Sequence, residues 1–363
     1  MLAPQPFPMN PLRIAVAGAG YIGLAHMQAI AQNPRTALAC VVDPSAQALP
    51  HAQSAGVALY PSLEHMLAQD RPDAVILATP NTLHLAHAMW CVQAGLPFLL
   101  EKPITPTVDE AEQLVAAIEQ VGARALVGHH RAHSPLMAQA CATLASGQLG
   151  RLVSVTGSAT FYKPDEYFAA APWRRQAGGG PILINLIHEV HNLRMLCGEI
   201  SAVHAFASNA VRGFEVEDTV AINLRFANGV LGNFMLSDTA ASARSWEQTS
   251  GENPAYPSYG DEDCYVISGT NGSLSVPTMR IKTYPSVPAR SWWKPFDMGQ
   301  LDVQRGDPLA HQLQHFVQVA QGLAAPLVSA RDALQNLRVT QAITESGRSG
   351  QVIHLTPRTG ALV

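Results

Sequence analysis

No two cysteines in this chain are placed to act together. The five, Cys40, Cys91, Cys141, Cys197 and Cys264, are scattered and odd in number, and no C-x-x-C pair occurs. That argues against a zinc ribbon and against a disulfide framework, and leaves the five as small buried hydrophobes of a reduced protein. Clustered positive charge is also missing. The formal net charge is −4, with no Lys/Arg-rich run and no basic residues interleaved with aromatics, so there is no footprint for nucleic acid. No apolar run approaches the length of a membrane span. The opening "MLAPQPFPMNP" lacks positive charge and has too many prolines for the apolar stretch of a signal peptide. The expectation is a cytoplasmic protein that engages neither membrane nor nucleic acid, with residues 1–10 as a loose leader.

Apolar content is 47% over 363 residues. That is ample for burial and long for one core, so two domains are expected. In the first third, short apolar runs bounded by Gly, Pro or Asp recur: "LRIAVAG" (12–18), "ALACVV" (37–42), "DAVILA" (73–78), "PFLL" (97–100) and "RALVG" (124–128). Helical patterns at 22–32, 45–54, 83–94 and 107–121 lie between them, and Thr107 with Glu110 has the form of a capping box. This alternation predicts an α/β domain with a doubly wound parallel sheet over residues 1–128. Past residue 150 the runs lengthen ("LVSVTGSATFY", "SAVHAFASNAV", "DTVAINLRF", "VLGNFML") and hairpin signals such as "ANG" (227–229) join them. Residues 129–363 are expected to form an α+β domain with a mainly antiparallel sheet and helices near 182–197, 308–322 and 330–347. The Gly/Ser/Pro/aromatic stretch 238–263 reads as one long exposed loop.

"AVAGAGYIGLAH" carries Gly18-x-Gly20-x-x-Gly23 directly after the first strand and at the start of a helix. In that context Gly18 permits a tight turn, Gly20 lets the backbone approach a pyrophosphate, and Gly23 lets helix pack on strand. The helix N-terminus, with Tyr21 and Ile22, then offers N–H donors to phosphate. Asp43 ends the second strand, 20 residues beyond Gly23. A carboxylate there takes the adenosine ribose 2′-OH and repels a 2′-phosphate, so NAD is expected rather than NADP. After the fourth strand, Thr79 and Asn81 fall at the carboxyl edge of the sheet, where such folds bind ligands. Asn81 is equally readable as a helix N-cap, and His84 as a plain first-turn residue.

In "FLLEKPI" three large apolar residues end abruptly at Glu101 and Lys102, and Pro103 stops the strand. Charges there are costly unless something meets them. Lys102 is either a solvated partner of Glu101 or a group facing the nicotinamide. In "GGGPILINLIHEVHNLRMLCG" (178–198), helical spacing puts Ile184, Asn185, His188, His191, Asn192 and Met195 on one face. Its polar members are His and Asn, short hydrogen-bonding groups that suit a ligand site, though a core helix with satisfied histidines gives the same pattern. The pairs His188/His191 and His311/His315 and the group His129, His130, His133 invite a metal, but no H-E-x-x-H is present and no Cys or paired acid completes a set. No metal is expected. Arg131, after the sixth strand, either meets an anionic substrate group or lies on the surface.

Taken together, Gly18 to Gly23, "TPN" with His84, "EKP" and "GGG…H" resemble the Gfo/Idh/MocA oxidoreductases, in the expected order across nearly the whole chain. The resemblance implies an N-terminal Rossmann domain and a C-terminal domain with a large open-faced sheet that commonly forms an oligomer interface. It further implies NAD(P)-linked oxidation or reduction of secondary alcohols on sugars and polyols. By it, Lys102 matches the active-site lysine, His188 the catalytic histidine and Glu101 the carboxylate near the cofactor. Trp173 and Arg174 match a position near nicotinamide or substrate, and Asn185 and His191 stand beside the substrate. One departure is evident: many members carry Asp four residues before the histidine, where this chain has Ile184. The implied protein is a homodimer or homotetramer acting on a cyclic sugar, sugar acid or polyol. The competing class is a non-catalytic NAD- or sugar-binding regulator of the same fold, which would have no need of both Lys102 and His188.

Overall fold

The computed structural model describes residues 10–356; nearly all of the leader expected over residues 1–10 lies outside them. The chain divides into two compact units, one running to His130 and taking in Leu309–Leu334, the other formed by Arg131–Pro308 with the chain from Gln335 on.

In the first unit, β1 (Leu12–Ala17), β2 (Thr36–Val42), β3 (Ala58–Tyr60), β4 (Ala74–Leu77), β5 (Phe98–Glu101) and β6 (Ala125–Gly128) form one sheet in the order β3-β2-β1-β4-β5-β6. Every pairing is parallel. Strands β4, β5 and β6 are buried at every residue, as expected of a parallel sheet covered on both faces, and this is why they read as unbroken apolar runs. The helices between them are α1 (Tyr21–Gln32), α2 (Leu49–Ala55), α3 (Leu63–Gln69), α4 (His84–Ala94) and α5 (Val108–Val121). Thr107 and Glu110 close the expected capping box on α5. The strand order reverses between β1 and β4, so the crevice at their carboxyl ends is the ligand position of a doubly wound sheet.

The second unit opens with α6 (Pro135–Ala145), β7 (Leu152–Tyr162), α7 (Asp165–Ala169) and α8 (Ile187–Cys197). Strands β8 (Ile200–Ser208), β9 (Thr219–Phe226), β10 (Leu231–Ser237) and β11 (Thr239–Arg244) follow, then α9 (Trp246–Ser250) and β12 (Tyr265–Gly269). Strands β13 (Gly272–Val276), β14 (Arg280–Thr283), β15 (Asp297–Gln300) and β16 (Ile353–His354) complete the sheet, which runs β15-β14-β13-β12-β7-β10-β9-β8-β16 with β11 on β7. Only β7 with β10 pairs in parallel; the other pairings are antiparallel. One face, with Val155, Ile222, Phe234 and Ile267, is buried against Val190 and Leu193 of α8 and Val339 and Ile343 of the last helix. Phe206, Leu231, Met235 and Val266 stand exposed.

Two expectations change. Residues 238–263 are a loop only in their second half: 251–263 are irregular and exposed over 254–261, but before them β11 pairs with β7, Ser245 caps α9, and Trp246 is 3% exposed with its ring N–H on Glu252. The chain after 308 also does not belong wholly to the second unit. Helix α10 (Pro308–Ala320) and the start of α11 (Ala330–Ser349) return to the first unit, where Arg124 donates to the Ala320 carbonyl and Arg331 pairs with Glu119. Among the described residues no helix is long and apolar enough to cross a membrane.

Candidate active site

Each glycine of the first loop has its own reason. Gly18 has φ of +91°, and a Cβ there would stand 2.4 Å from the Ala78 carbonyl oxygen; a Cβ on Gly23 would meet the Gly18 oxygen at 1.8 Å. Those two hold the turn and the helix contact. Around Gly20 nothing lies within 4 Å of a Cβ, so that side of the backbone is open. Helix α1 begins there with no side-chain cap and no acid in its first turn, and its leading N–H groups and positive dipole end are left for an anion. Tyr21 is exposed beside them. Asp43 directly follows β2 and accepts from the backbone N–H of Ala19 and of Ser45, both at 2.8 Å. Its carboxylate therefore braces the glycine loop and keeps lone pairs for a ribose hydroxyl. The residues present fit a dinucleotide.

Two expected cofactor contacts act from inside instead. His84 is 1% exposed, its Nδ1 2.7 Å from the Pro103 carbonyl and its Nε2 2.9 Å from the Thr79 carbonyl. The ring ties the loop after β4 to the loop after β5, and burial lowers its pKa. Glu101 is likewise buried and faces the His26 ring nitrogen at 2.8 Å. Burial pushes its carboxyl up, but the His26 hydrogen bond and charge, with His130 and Lys102, bring the net pKa below the ordinary range. Gly128 is required alongside, since a Cβ there would lie 2.7 Å from the Glu101 carboxylate. Thr79 and Asn81 stay half-buried at the sheet edge. Asn81 does not cap: Pro80 precedes the short turn, and α4 starts without a side-chain cap. Lys102 follows directly, half-buried.

In the second unit, residues 182–186 are π-helical and lead into α8. His188 is 6% exposed, and Asn185 is half-buried and accepts from Lys163. Two expectations fail here. His191 is 2% exposed and bonded through Nδ1 to Asn336, which takes it into the core. Arg131 is neither on the surface nor available to a substrate: it is 3% exposed and clamped by Glu189 and Glu247 at 2.5 and 2.7 Å. Trp173 is 52% exposed, and Arg174 stacks on the Tyr167 ring at 3.8 Å. Sequence reasoning missed His26 and Lys163. Nothing local marks His26, but "TFYKP" repeats the form of "LLEKP", a strand ended by Lys-Pro, and that signal finds Lys163.

Residues 12–129 match the oxidoreductase family with an NAD-binding Rossmann fold, and residues 137–275 match the GFO/IDH/MocA C-terminal domain. The chain is 26% identical over 343 residues to the rhizopine catabolism protein MocA of Rhizobium meliloti, covering 93% of this chain and 95% of that one. It is 25% identical over 354 residues to scyllo-inositol 2-dehydrogenase (NAD(+)) of Bacillus subtilis, covering 95% and 96%. Among solved structures, the WlbA dehydrogenase of Bordetella pertussis, in complex with NADH and UDP-GlcNAcA, superposes with a TM-score of 0.77 at 26% identity over 96% of this chain and 100% of that one. With both of its domains matched, this chain belongs to the Gfo/Idh/MocA family of NAD-binding oxidoreductases.

Proposed function

We propose that the protein moves hydride between NAD and a secondary alcohol or ketone of a cyclic sugar, sugar acid or polyol, with Lys102 and His188 as the catalytic pair. The observation that carries this reading is the placement of Lys102. It leaves β5 at the carboxyl edge of the sheet, directly after the buried Glu101–His26 pair and in the same unit as the open Gly20 loop. A bound nicotinamide supplies the hydride acceptor. Lys102, kept cationic, donates to the substrate oxygen and stabilises the negative charge that develops there. His188 takes the hydroxyl proton, because His is the side chain whose ordinary pKa lies nearest neutrality. Thr79, Asn81, Tyr21 and Ile22 line the cofactor, and the family resemblance assigns Trp173 to a position near nicotinamide or substrate. The screen that tests the reading offers cyclic polyols, sugars and uronic acids to the protein with NAD and records NADH formation; no turnover on any of them counts against it.

Asp43 selects NAD over NADP, since a 2′-phosphate set against its carboxylate is crowded and repelled. Fluorescence titration should show NADH binding more tightly than NADPH, and Asp43→Ala should narrow the gap chiefly by weakening NADH. Equal or tighter NADPH binding in the wild type would sink the assignment. The exposed apolar residues of the second sheet, Phe206, Leu231, Met235 and Val266, support assembly as a homodimer or homotetramer through that face. Five free cysteines suit a reducing, cytoplasmic setting.

A further inference from the structure

A group of charges stands where β7 ends in the second unit, and the catalytic reading leaves most of it unused. Lys163 is 8% exposed. Its ammonium donates to Asn185 Oδ1 at 2.7 Å, lies 3.5 Å from Asp238 Oδ2, and sits 4.8 Å from the centre of the Tyr167 ring. The Arg174 guanidinium covers the same ring at 3.8 Å. Arg174 spends Nη1 on the Tyr167 carbonyl, and its Nε is buried with no acceptor. Among the described residues Arg174 has no carboxylate partner.

The neighbouring acids are already engaged. Asp238 Oδ1 accepts from Arg212 at 3.0 Å, which leaves Lys163 the longer contact. Glu217 Oε1 accepts from the Ile182 N–H, and burial raises its pKa. Asp165 is 89% exposed and 3.7 Å from Arg212. Two cations thus share one aromatic platform, and Arg174 keeps a buried donor with no acceptor. A planar carboxylate can accept from both the Lys163 ammonium and the Arg174 guanidinium.

We propose that Lys163 and Arg174 bind a carboxylate of the substrate, which makes the preferred substrate an acidic cyclic sugar of the uronic acid class. The inference rests on the reading of His188 as the base, because Asn185, which holds Lys163, stands three residues before His188 in the helical segment 182–197. It also bears on the departure at Ile184: where many members carry an Asp, this chain places no acid.

Burial lowers the Lys163 pKa to about 8 against the pull of Asp238, with Arg174 and Arg212 adding to the fall. The groups facing it are Asp238, Arg174, Arg212, Glu217 and Tyr167. Lys163 is therefore charged at neutral pH and loses its grip on an anion as pH rises past that value.

The test is calorimetric titration of the full-length, NADH-saturated protein with D-glucuronate and D-galacturonate, each against its neutral parent sugar. At least one uronate should bind roughly tenfold more tightly than its parent. Lys163→Met should erase that preference. Lys163→Arg should keep it and also remove its decline above about pH 8. If neither uronate is preferred, or the preference survives Lys163→Met, the proposal is wrong. Should Lys163→Met fail to fold, the pH dependence decides: a decline in wild type that Lys163→Arg abolishes supports the proposal, and matching profiles overturn it. Binding heat needs no turnover. A catalytic pair disproved by Lys102 and His188 variants would therefore leave this result standing as evidence on Lys163 alone.

Discussion

Glu101 and His26 are 75 residues apart in sequence and 2.8 Å apart in the fold, both buried. Breaking a buried pair leaves a polar group uncompensated, so Glu101→Gln should cost about 1.5–3 kcal/mol. The sign with pH is fixed by the depressed carboxyl pKa. Its stabilisation is present above the ordinary carboxylate pKa and is lost as pH falls through the lower folded value. Thermal melts of wild type and Glu101→Gln should converge on acidification; a constant gap down to about pH 3 would contradict this. At this scale the sequence was only partly legible. The strand end at Lys102 is visible in "FLLEKP", because an apolar run stopping at a charge is a local signal. The pairing of Glu101 with His26, the burial of His191 against Asn336 and the clamping of Arg131 by Glu189 and Glu247 are not local. Each depends on a partner brought from elsewhere by the fold, and no spacing announces it.

Among elements, the glycine loop was the most legible, because its three glycines answer to three separate steric demands. Those demands separate binding from folding. Gly20→Ala meets open space, so it should leave the melting temperature within about 2 °C and weaken NADH binding roughly tenfold or more by crowding the phosphates. Gly23→Ala drives a methyl into the Gly18 carbonyl and should cost several-fold more stability, or abolish soluble protein. Equal effects from the two would contradict the assignment of Gly20 to the cofactor. The stretch 238–263 is a loop over 251–263, as its composition suggests, but its first half hides a strand and a helix behind the same Ser and aromatic content. In the structure the same residues supply the Ser245 cap and the Trp246 anchor that seat α9 in the core.

For the whole molecule, the change from alternating short strands to long ones marked two domains. The return of Leu309–Leu334 to the first unit was not visible, since an amphipathic helix does not say which core it joins. The proposed assembly follows from the exposed face of the second sheet. Light scattering at micromolar concentration should show a dimer or tetramer, and Met235→Asp with Leu231→Asp should give a monomer; a monomeric wild type would contradict it. The catalytic proposal needs Lys102 and His188 to act in one reaction, and one measurement addresses that directly. It is the pH dependence of single-turnover NADH formation, on the best substrate from the screen, for wild type, Lys102→Ala and His188→Ala. The account predicts that His188→Ala slows the hydride step ~10²–10⁴-fold at neutral pH and loses one pKa from the profile. It also predicts that Lys102→Ala lowers kcat more than NADH affinity. Wild-type turnover in both variants would contradict it.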